Sequence, residues 1–521
     1  MTAKTVGKSA LHFAVGTFFS RISGLVREIS MAYTLGTSAA AAAFLVAFRF
    51  AYLLRRILGE GALVNGFIPH YEALRHESTE KAAFFFRDLF VTLASTLLVL
   101  IGLGEFFLAL ALRFHVFSSA SNEIIRLIML MLPGLFFICF FALQSGFLQC
   151  HGQFLLTGIA PAAFNIAWIG TLIWHRHAPT SVITTYLALT LGVAFLIQWL
   201  LLLPHTLQAL RGSLFLKQWI KAKLFSNEIQ IMLKAISLSI LAVSATQINS
   251  FIDMLFARYT DLEGPAYLSY AIRLQQFPLS LFGIAIASAV FPSLARAIQG
   301  GEEEKGRELL RFGILRSTSL MLPSTLGIFA LGTASINLLF GRGSFTSHST
   351  LETSFCLSAY GLGLLPATYA LLFSQAFFVR RDFLTPTVVS LASMVFSTAC
   401  NACLILLFHA GTLSIAVTTS LAAAFQAVVL MILYRRRYGD IGFWNRQRTQ
   451  VFKLFVASLI PAVAAFWLTP NSYHRDLLSQ LRDFLFPAAA FILLFISLCW
   501  LLQIEDILTL FYKKKKAMSE G

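Results

Sequence analysis

The sequence predicts an all-α polytopic membrane protein with about fourteen transmembrane helices. Of its 521 residues, 57% are hydrophobic and only 12% are charged, and the mean hydropathy is +0.76. Soluble domains usually carry about 25% charged residues, so 24 acids and 40 bases are too few to cover a water-soluble fold of this length. The bilayer, where each helical crossing needs about 20 mostly apolar residues, is the solvent that fits this composition.

Fourteen apolar segments of bilayer length follow one another along the chain. The first follows Lys4 and Lys8 but has no small-residue cleavage site after it, so we interpret it as a retained helix and not as a signal peptide. The last two follow a basic linker and extend a twelve-helix core. The predicted limits are 9–34, 39–58, 83–112, 123–149, 154–175, 182–204, 231–257, 266–294, 312–339, 352–378, 384–408, 412–434, 451–468 and 484–509.

Lysine and arginine alternate between the two sides of this topology. Connections such as 205–230, 296–311 and 435–448 are rich in bases, whereas the connections between them hold at most two. Because cytoplasmic loops carry the excess of Lys and Arg, we expect the basic connections and both termini to be cytoplasmic. Termini on the same side require an even number of spans, which agrees with fourteen.

An internal repeat relates the two halves. The segment from Ala47 begins Ala-x-Arg and continues to Pro69, and the segment from Ala271 begins in the same way and continues to Pro292. The offset maps the second span onto the eighth, and this even shift predicts two parallel six-helix lobes around a central cleft. We therefore predict an N-terminal lobe (1–210), a cytoplasmic amphipathic linker (211–230), a C-terminal lobe (231–437), and two further helices with a basic cytoplasmic tail (438–521).

The motif content favours a transporter over an enzyme or a nucleic-acid-binding protein. The sequence has no Walker loop, zinc-binding motif, nucleophile elbow or kinase motif set. Its net charge of +16 is distributed over short clusters between apolar runs, and no compact basic domain is present to hold a duplex.

Arginines inside the early spans are the most informative residues. They are Arg21 and Arg27 in the first span, Arg49, Arg55 and Arg56 in the second, and Arg273 in the eighth. A charge at a helix centre costs about 2.5–3.5 kcal/mol on insertion scales, so these side chains should line a hydrated cavity or pair with acids. The nearby acids are Glu28 and Glu60, which leaves a positive surplus that should attract an anion.

Helix phase places Ser20, Ser23, Gly24 and Arg27 on one small, polar face of the first span, while Arg21 and Glu28 share a neighbouring face and could pair. The alternative interpretation is that the small residues permit close helix packing and the arginines snorkel to the interface.

Several motifs resemble the MurJ (MviN) family, the lipid II flippases of the MOP exporter superfamily. They are SRISGLVRE at the first span, AAFLVAFRFAYLLRRILGEGALVNGFIP at the second, QINSFID at 247–253, YAIRLQQFP at 270–278, FPSLARA at 291–297 and FFVRRDFLTP at 377–386. The resemblance covers essentially the whole chain.

The resemblance implies a transporter that moves lipid II, an undecaprenyl-pyrophosphate-linked disaccharide-pentapeptide, between leaflets by alternating access. By motif position, the family's pyrophosphate-binding arginines correspond to Arg21, Arg27, Arg55 and Arg273, and Glu28, Glu60 and Arg49 are expected cavity or gating residues. Arginine suits this role because its planar fork binds phosphate oxygens in pairs and keeps its charge.

The same resemblance implies a monomer in the bacterial cytoplasmic (inner) membrane. Expected partners are lipid II, membrane lipids and the peptidoglycan-synthesis machinery, and no nucleic acid. No cofactor is expected apart from a candidate sodium ion, for which Asp253, Asn401 and Thr419 match parts of a site found in some members. The alternative for Asp253 is an interhelical hydrogen bond.

The chain departs from the family pattern at four places, the first of which is Glu28, where the family has Asp. Ala42 stands where the family has an acid, and Ala51-Tyr52 replaces Pro-Asn, so we expect the second helix to lack the family's kink. Ile405 stands where a second acidic sodium ligand is expected, and a hard cation prefers several oxygen ligands.

Two other classes of function compete with the lipid II flippase. One is another exporter of the same superfamily, which would move a different polyprenyl-linked glycan or, like a MATE antiporter, a drug cation. The other is a membrane scaffold or a lipid-processing enzyme. A cation carrier should have acids where this chain has arginines, and an enzyme should have a metal-binding carboxylate cluster or a base beside a nucleophile.

Overall fold

The computed structural model of the chain is built of α-helices. It describes residues 3–59, 62–116, 118–211, 216–470, 473–504 and Ile507, and these ranges contain no β-strand. The predicted all-α fold class is confirmed.

The helices are numbered in chain order. Their bounds are α1 Ala3–Leu35, α2 Ala39–Leu58, α3 Ala62–Glu77, α4 Thr79–Arg113, α5 Ser119–Cys150, α6 Phe154–Ile159, α7 Pro161–Trp174, α8 Thr180–Leu210, α9 Leu216–Trp219, α10 Asn227–Thr260, α11 Gly264–Pro278, α12 Ala285–Gln299, α13 Glu303–Phe340, α14 Ser347–Leu362, α15 Leu364–Val379, α16 Leu384–Ala402, α17 Leu413–Tyr438, α18 Phe443–Leu468 and α19 Leu477–Leu501. One π-helical turn, Leu279–Ile284, joins α11 to α12, and another, Cys403–Leu407, extends α16.

Long apolar helices dominate the described part of the chain. Within it, 11 helical segments are long and apolar enough to cross a bilayer. The prediction of a polytopic membrane protein is therefore confirmed, whereas the predicted number of fourteen spans stays a prediction. The predicted second span coincides with α2, which continues without interruption from Ala39 to Leu58.

Several element limits differ from the sequence-based prediction, mostly because the helices extend beyond the apolar segments, and two differences are informative. Helix α3 is missed because His70, Glu72 and Arg75 interrupt its apolar pattern, so that its composition resembles a loop. The predicted limits of the last span, 484–509, are wrong at both ends. Helix α19 begins at Leu477 because the Asp476 carboxylate accepts a hydrogen bond from the first turn, and it ends at Leu501, eight residues earlier than predicted.

The internal repeat coincides with an interruption of the α-helix in both halves. The register that aligns Arg49 with Arg273 also aligns Gly59, at the end of α2, with Gly283, in the first π-helical turn. A Cβ on Gly59 would lie 3.0 Å from Cys139 Sγ, and one on Gly283 would lie 2.8 Å from Thr368 Oγ1. Both interruptions therefore occur where a neighbouring helix leaves no room for a side chain.

The chain divides into two compact units, Met1–Arg258 and Tyr259–Gly521. The first unit thus contains nearly all of α10, which the predicted lobe limits assign to the C-terminal half. The predicted limits of the lobes, the linker and the tail stay predictions.

Helix α5 is central in the first unit, where it packs against α2, α4 and α8. It approaches α8 closely at Gly134, where an added Cβ would lie 3.0 Å from Gly192 Cα. Small residues allow membrane helices to pack closely enough to gain van der Waals contact, which is the main attraction available between apolar helices in lipid.

A buried ion pair on α4 holds α9 and the segment that follows it. Arg87 Nη2 lies 2.6 Å from Asp88 Oδ1, and both side chains are 8% exposed. Arg87 Nη1 donates to Gln218 O (3.0 Å), and Asp88 Oδ1 also accepts a hydrogen bond from Lys223 N (3.1 Å). We call Arg87 and Asp88 the linker clasp, because they fix the backbone of the predicted linker to the first unit.

The linker presents an exposed surface that is both basic and apolar. Ile220 is 88% exposed and Leu224 is 56% exposed, and Lys221 and Lys223 are exposed beside them. Such a mixture suits the interface between water and an anionic cytoplasmic leaflet.

We therefore predict that Lys221→Cys is labelled by a membrane-impermeant maleimide in permeabilised cells but not in intact spheroplasts. The reason is the excess of bases on this connection. Arg176→Cys, in the connection between α7 and α8, is the matched control and should be labelled in both preparations. Labelling of Lys221→Cys in intact spheroplasts would contradict the predicted topology.

In the second unit, α13, α15 and α17 share a core that includes Leu310, Phe373, Phe377 and Leu430. Next to this core, Arg380 Nη2 pairs with Glu303 Oε2 at 2.7 Å. This ion pair joins the start of α13 to the end of α15.

Asp382, in the turn between α15 and α16, is also fixed by hydrogen bonds. Thr385 N and Thr385 Oγ1 donate to its carboxylate at 3.0 and 2.7 Å, and Arg437 Nη1 donates at 2.6 Å. Desolvation raises the pKa of Asp382, but the Thr385 hydrogen bonds and the Arg437 charge outweigh it, so that the pKa lies below its ordinary value.

Candidate functional site

Arg27, in the last third of α1, is held by its neighbour Glu28 and by groups of α7. Arg27 Nη1 donates to Asn165 Oδ1 (3.1 Å), and Nη2 donates to Glu28 Oε1 (2.5 Å). The guanidinium carbon lies 4.9 Å from the ring centroid of Trp168 and 5.3 Å from that of Phe164. The side chains of Arg27 and Glu28 are 12% and 13% exposed, so this is a partly buried cation fixed from several directions. Glu28 therefore pairs with Arg27 and not with Arg21.

The small polar face of α1 packs against α7. Asn165 Nδ2 donates to Ser23 Oγ (2.9 Å) and to Ser20 O (3.2 Å), and a Cβ on Gly24 would lie 3.7 Å from the same nitrogen. Ser20, Ser23 and Gly24 thus serve helix packing, as the alternative interpretation of this face proposed. Arg27 lies at the C-terminal end of the same face of α1.

Three arginines of α2 surround one aromatic ring. The guanidinium carbons of Arg49, Arg55 and Arg56 lie 5.9, 5.7 and 5.7 Å from the ring centroid of Tyr52. The spacing explains this, because residues three or four apart lie on the same face of a helix. Each such contact is worth about 0.5–2 kcal/mol, depending on how far water is excluded. Tyr52 is one of the residues at which the chain departs from the family pattern.

Arg55 also lies beside an aromatic ring of α8. Its guanidinium carbon is 5.9 Å from the ring centroid of Phe195, and Phe195 stacks on Phe164 at 5.2 Å. A cleft next to Arg55 is lined mainly by apolar side chains of α2, α5 and α8, among them Leu135 and Leu191. The first unit therefore brings Arg27 and Arg55 to the two ends of one pair of stacked rings.

The remaining predicted residues are placed as follows. Arg21 is exposed on α1, and Arg273 is exposed on α11 of the second unit. Glu60 lies outside the described residues. The assignment of Arg21, Arg27, Arg55 and Arg273 to pyrophosphate binding stays a prediction, as do the roles of Glu28, Glu60 and Arg49.

Sequence reasoning missed the partners of the arginines. Asn165, Phe164 and Trp168 belong to the apolar run of α7, and Phe195 to that of α8. Asn165 could have been identified from the sequence, because a polar residue within a membrane helix is costly and usually has a hydrogen-bond partner. The aromatic residues give no such signal, since the chain contains 51 phenylalanines.

The residues proposed for sodium lie in different units. Asp253, on α10 of the first unit, accepts a hydrogen bond from Asn249 Nδ2 (3.3 Å). In the second unit, Thr419 Oγ1 donates to Ile415 O (2.8 Å), and Asn401 Oδ1 accepts a hydrogen bond from Thr418 Oγ1.

The sodium hypothesis requires a second carboxylate near Asn401. Ile405, where a second acid would stand, is buried and apolar. Within the described residues, no group of three or more His, Cys, Asp or Glu side chains is arranged to hold a metal. Asn401, Thr418 and Thr419 offer uncharged oxygens, which suit a weakly held monovalent cation better than a divalent one.

Long apolar helices in two units, with arginines fixed inside the first, define a polytopic membrane protein of the transporter class. The chain belongs to the family described as the lipid II flippase MurJ, whose sequence model matches residues 31–479.

Individual relatives agree with this assignment. The chain is 29% identical over 527 aligned residues to a probable lipid II flippase MurJ of Chlamydia muridarum, and the match covers 96% of this chain and 95% of the relative. A solved structure of lipid II flippase MurJ in an inward closed conformation has a similar fold (TM-score 0.75, 22% identity, 96% of this chain and 98% of that one). An inward-facing multidrug resistance MATE family transporter of the MOP superfamily is more distant (TM-score 0.64, 15% identity, 83% of this chain and 98% of that one).

Proposed function

We propose that the chain is a lipid II flippase that carries its substrate from the cytoplasmic to the periplasmic leaflet by alternating access. Membership of the MurJ family supports this function. The observation on this chain that carries it is the group of arginines fixed on α1 and α2 of the first unit.

The chemistry of the substrate explains the need for these arginines. The pyrophosphate is the part of lipid II that the bilayer excludes most strongly, because charge is costly in hydrocarbon. Guanidinium forks can replace the water around phosphate oxygens with paired, charge-assisted hydrogen bonds. Arg21, Arg27, Arg55 and Arg273 are the proposed ligands.

The decisive experiment measures leaflet exchange of lipid II in cells depleted of their own flippase. We expect this chain alone to restore the appearance of lipid II in the periplasmic leaflet. Cells that contain normal amounts of the inserted protein and still lack exchange would overturn the proposed function.

A different exporter of the MOP superfamily is the second candidate, favoured by the fold that the chain shares with a MATE transporter. The arginines of α1 and α2 would repel a drug cation, but they would bind the pyrophosphate group of any polyprenyl-pyrophosphate glycan. Competition in proteoliposomes between lipid II and a lipid carrying another glycan would separate the two substrates.

The proposed setting is the bacterial cytoplasmic membrane, with both termini in the cytoplasm and the chain acting as a monomer. Membership of the MurJ family and the basic connections support this setting. Enzymes of peptidoglycan synthesis are the proposed protein partners, because they make and consume lipid II.

For coupling, we propose a sodium ion bound by Asp253, Asn401 and Thr419. If this is correct, Asp253→Asn should weaken the sodium dependence of lipid II exchange without abolishing anion binding at the arginines. The measurement is the exchange rate across a wide range of sodium concentrations. Asp261→Asn, in the turn after α10, is the matched control.

If the Asp253→Asn protein shows the same sodium response as the parent, the sodium proposal fails. Membrane potential would then be the candidate energy source, worth about 2.3 kcal/mol for each charge moved through 100 mV.

A further inference from the structure

Beyond the linker clasp, two further contacts join the linker to α4. Thr92 Oγ1 accepts a hydrogen bond from Phe225 N (3.2 Å), and Trp219 packs edge-on against Phe90 with 5.4 Å between ring centroids. Together with the clasp, these contacts make the linker follow α4 over more than one helical turn. The position of α4 in the bilayer therefore also gives the depth of the linker.

Helix α4 can serve as a ruler across the bilayer, because it ends at Arg113 and an α-helix rises about 1.5 Å per residue. Along the helix, Thr92 lies about 32 Å and Asp88 about 38 Å from Arg113. The hydrocarbon core is about 30 Å thick, and the bilayer with its headgroups about 40–45 Å. Thr92 is therefore at the far edge of the hydrocarbon, and Asp88 is in the headgroup layer. Trp219 packs on α4 between these levels, where membrane proteins are enriched in tryptophan.

Apolar side chains of the linker are exposed at this depth. Ile220, Leu224 and Phe225 are each more than half exposed. Phe225 has a left-handed backbone (φ 49°), which a bulky residue rarely adopts, and Gln230 Nε2 donates to its carbonyl oxygen (2.8 Å). The hydrogen bonds on both sides of Phe225 stabilise this turn, so the exposure of its ring is part of the fold. Acyl chains at the hydrocarbon edge would cover these side chains more favourably than water.

Two lysines supply the charge of this surface. Lys221 and Lys223 are exposed, and residues 216–225 contain no acid. Asp88 is bound by Arg87 and by the backbone N–H of Lys223. Among the residues that the structure describes, neither ammonium group has a hydrogen-bond or ion-pair partner. The linker therefore places two unpaired positive charges at the level of the headgroups.

We propose that Ile220, Lys221, Lys223, Leu224 and Phe225, which we call the linker surface, bind anionic phospholipids of the leaflet that the basic connections predict to be cytoplasmic. The apolar side chains pack among the acyl chains, and the two ammonium groups bind the headgroup phosphate. The linker clasp holds both at the required depth. One lysine near an anionic surface contributes about a fivefold factor in affinity, so two should favour an anionic over a zwitterionic lipid by about thirtyfold. This inference does not rest on the transport of lipid II.

The test is photocrosslinking of the purified full-length protein in nanodiscs of phosphatidylcholine. The probe is a trace of phosphatidylglycerol or of phosphatidylcholine with a diazirine in its acyl chain, and mass spectrometry identifies the crosslinked residues. Both probes should label residues 220–225. Relative to the exposed Leu493 of α19 as an internal standard, phosphatidylglycerol should label them about thirtyfold more than phosphatidylcholine does.

The double variant Lys221→Gln with Lys223→Gln should fold like the parent, because it changes only exposed side chains. It should lose the preference for phosphatidylglycerol and keep its labelling by phosphatidylcholine. Asp88→Ala should lose labelling by both probes, because the linker detaches from α4. Lys81→Gln is the matched control, since Lys81 is an exposed lysine of the same helix that lies about 48 Å from Arg113, outside the headgroup layer. Its preference should equal that of the parent.

Four results would overturn the lipid-binding role of the linker surface. The first is the absence of crosslinks in residues 220–225 with either probe, which would leave the surface to a soluble partner. The second is equal labelling of the parent by the two probes. The third is a preference that persists in the double lysine variant. The fourth is an equal loss of preference in Lys81→Gln, which would reflect the overall charge of the protein and not this surface.

Discussion

Replacing Arg27 with alanine is expected to abolish growth in flippase-depleted cells while the protein remains folded and inserted. The substitution removes charge-assisted hydrogen bonds to the substrate, each worth about 1.5–3 kcal/mol, so lipid II exchange should slow by about tenfold to over a hundredfold. Insertion should survive, but the change also removes the arginine that pairs with the largely buried Glu28, so the stability of the variant should fall as well. Arg27→Lys should restore function only in part, since an ammonium group cannot form the paired hydrogen bonds of a guanidinium.

Complementation, with the amount of membrane-inserted protein measured alongside, tests this prediction. Arg273→Ala, in the second unit, should have the same effect as Arg27→Ala. Arg56→Ala is the control, because Arg56 lies near the end of α2, where it can reach the interface, and because it is outside the predicted pyrophosphate set. Full growth of both Arg27→Ala and Arg273→Ala cells at normal protein levels would rule out the pyrophosphate site.

The largest expected effect on stability comes from the linker clasp. Asp88→Ala should lower the free energy of unfolding by about 3–5 kcal/mol, because it leaves the guanidinium of Arg87 buried without its carboxylate. The same change removes the acceptor for Lys223 N, so residues 218–225 should detach from α4. The measurements are unfolding of the purified protein in detergent and proteolysis at Lys221 and Lys223.

Lys81→Ala provides the control for the clasp. Lys81 pairs with Glu77 at 3.1 Å, but the two side chains are 65% and 61% exposed, so the loss should stay within about 0.5 kcal/mol. The double variant Arg87→Met with Asp88→Leu should recover much of the stability lost in Asp88→Ala, because no unpaired charge remains. If Asp88→Ala is as stable as Lys81→Ala, the clasp does not hold the linker.

Helix positions were largely predictable because apolar runs of bilayer length are a strong signal in sequence. Helix α2 has the predicted limits, and the repeat that aligns Arg49 with Arg273 also aligns the two helix interruptions at Gly59 and Gly283. Helix α3 was not predictable in this way, because polar residues within it conceal its pattern. The helix is stabilised instead by contacts with neighbouring helices, among them the stacking of Phe67 on Phe85.

The candidate site likewise contains residues that the sequence predicts and residues that only the structure identifies. The arginines were visible in the sequence, because a charge in an apolar run is rare and costly. What surrounds them was not visible: Arg27 and Asn165 are 138 residues apart in the chain, and Arg55 meets Phe195 from another helix. Helix periodicity alone could have placed Tyr52 among the arginines of α2.

The sequence by itself determined that this protein resides in the bilayer, that its two halves are related by a repeat, and that cations lie within its early helices. These properties depend on composition and on periodicity along the chain, and both are local. Only the tertiary structure decided which rings lie against Arg27 and Arg55, which acid pairs with Arg27, and how the linker is fixed to α4. Those contacts join residues that are distant in sequence, and helix packing selects them among many similar phenylalanines and leucines.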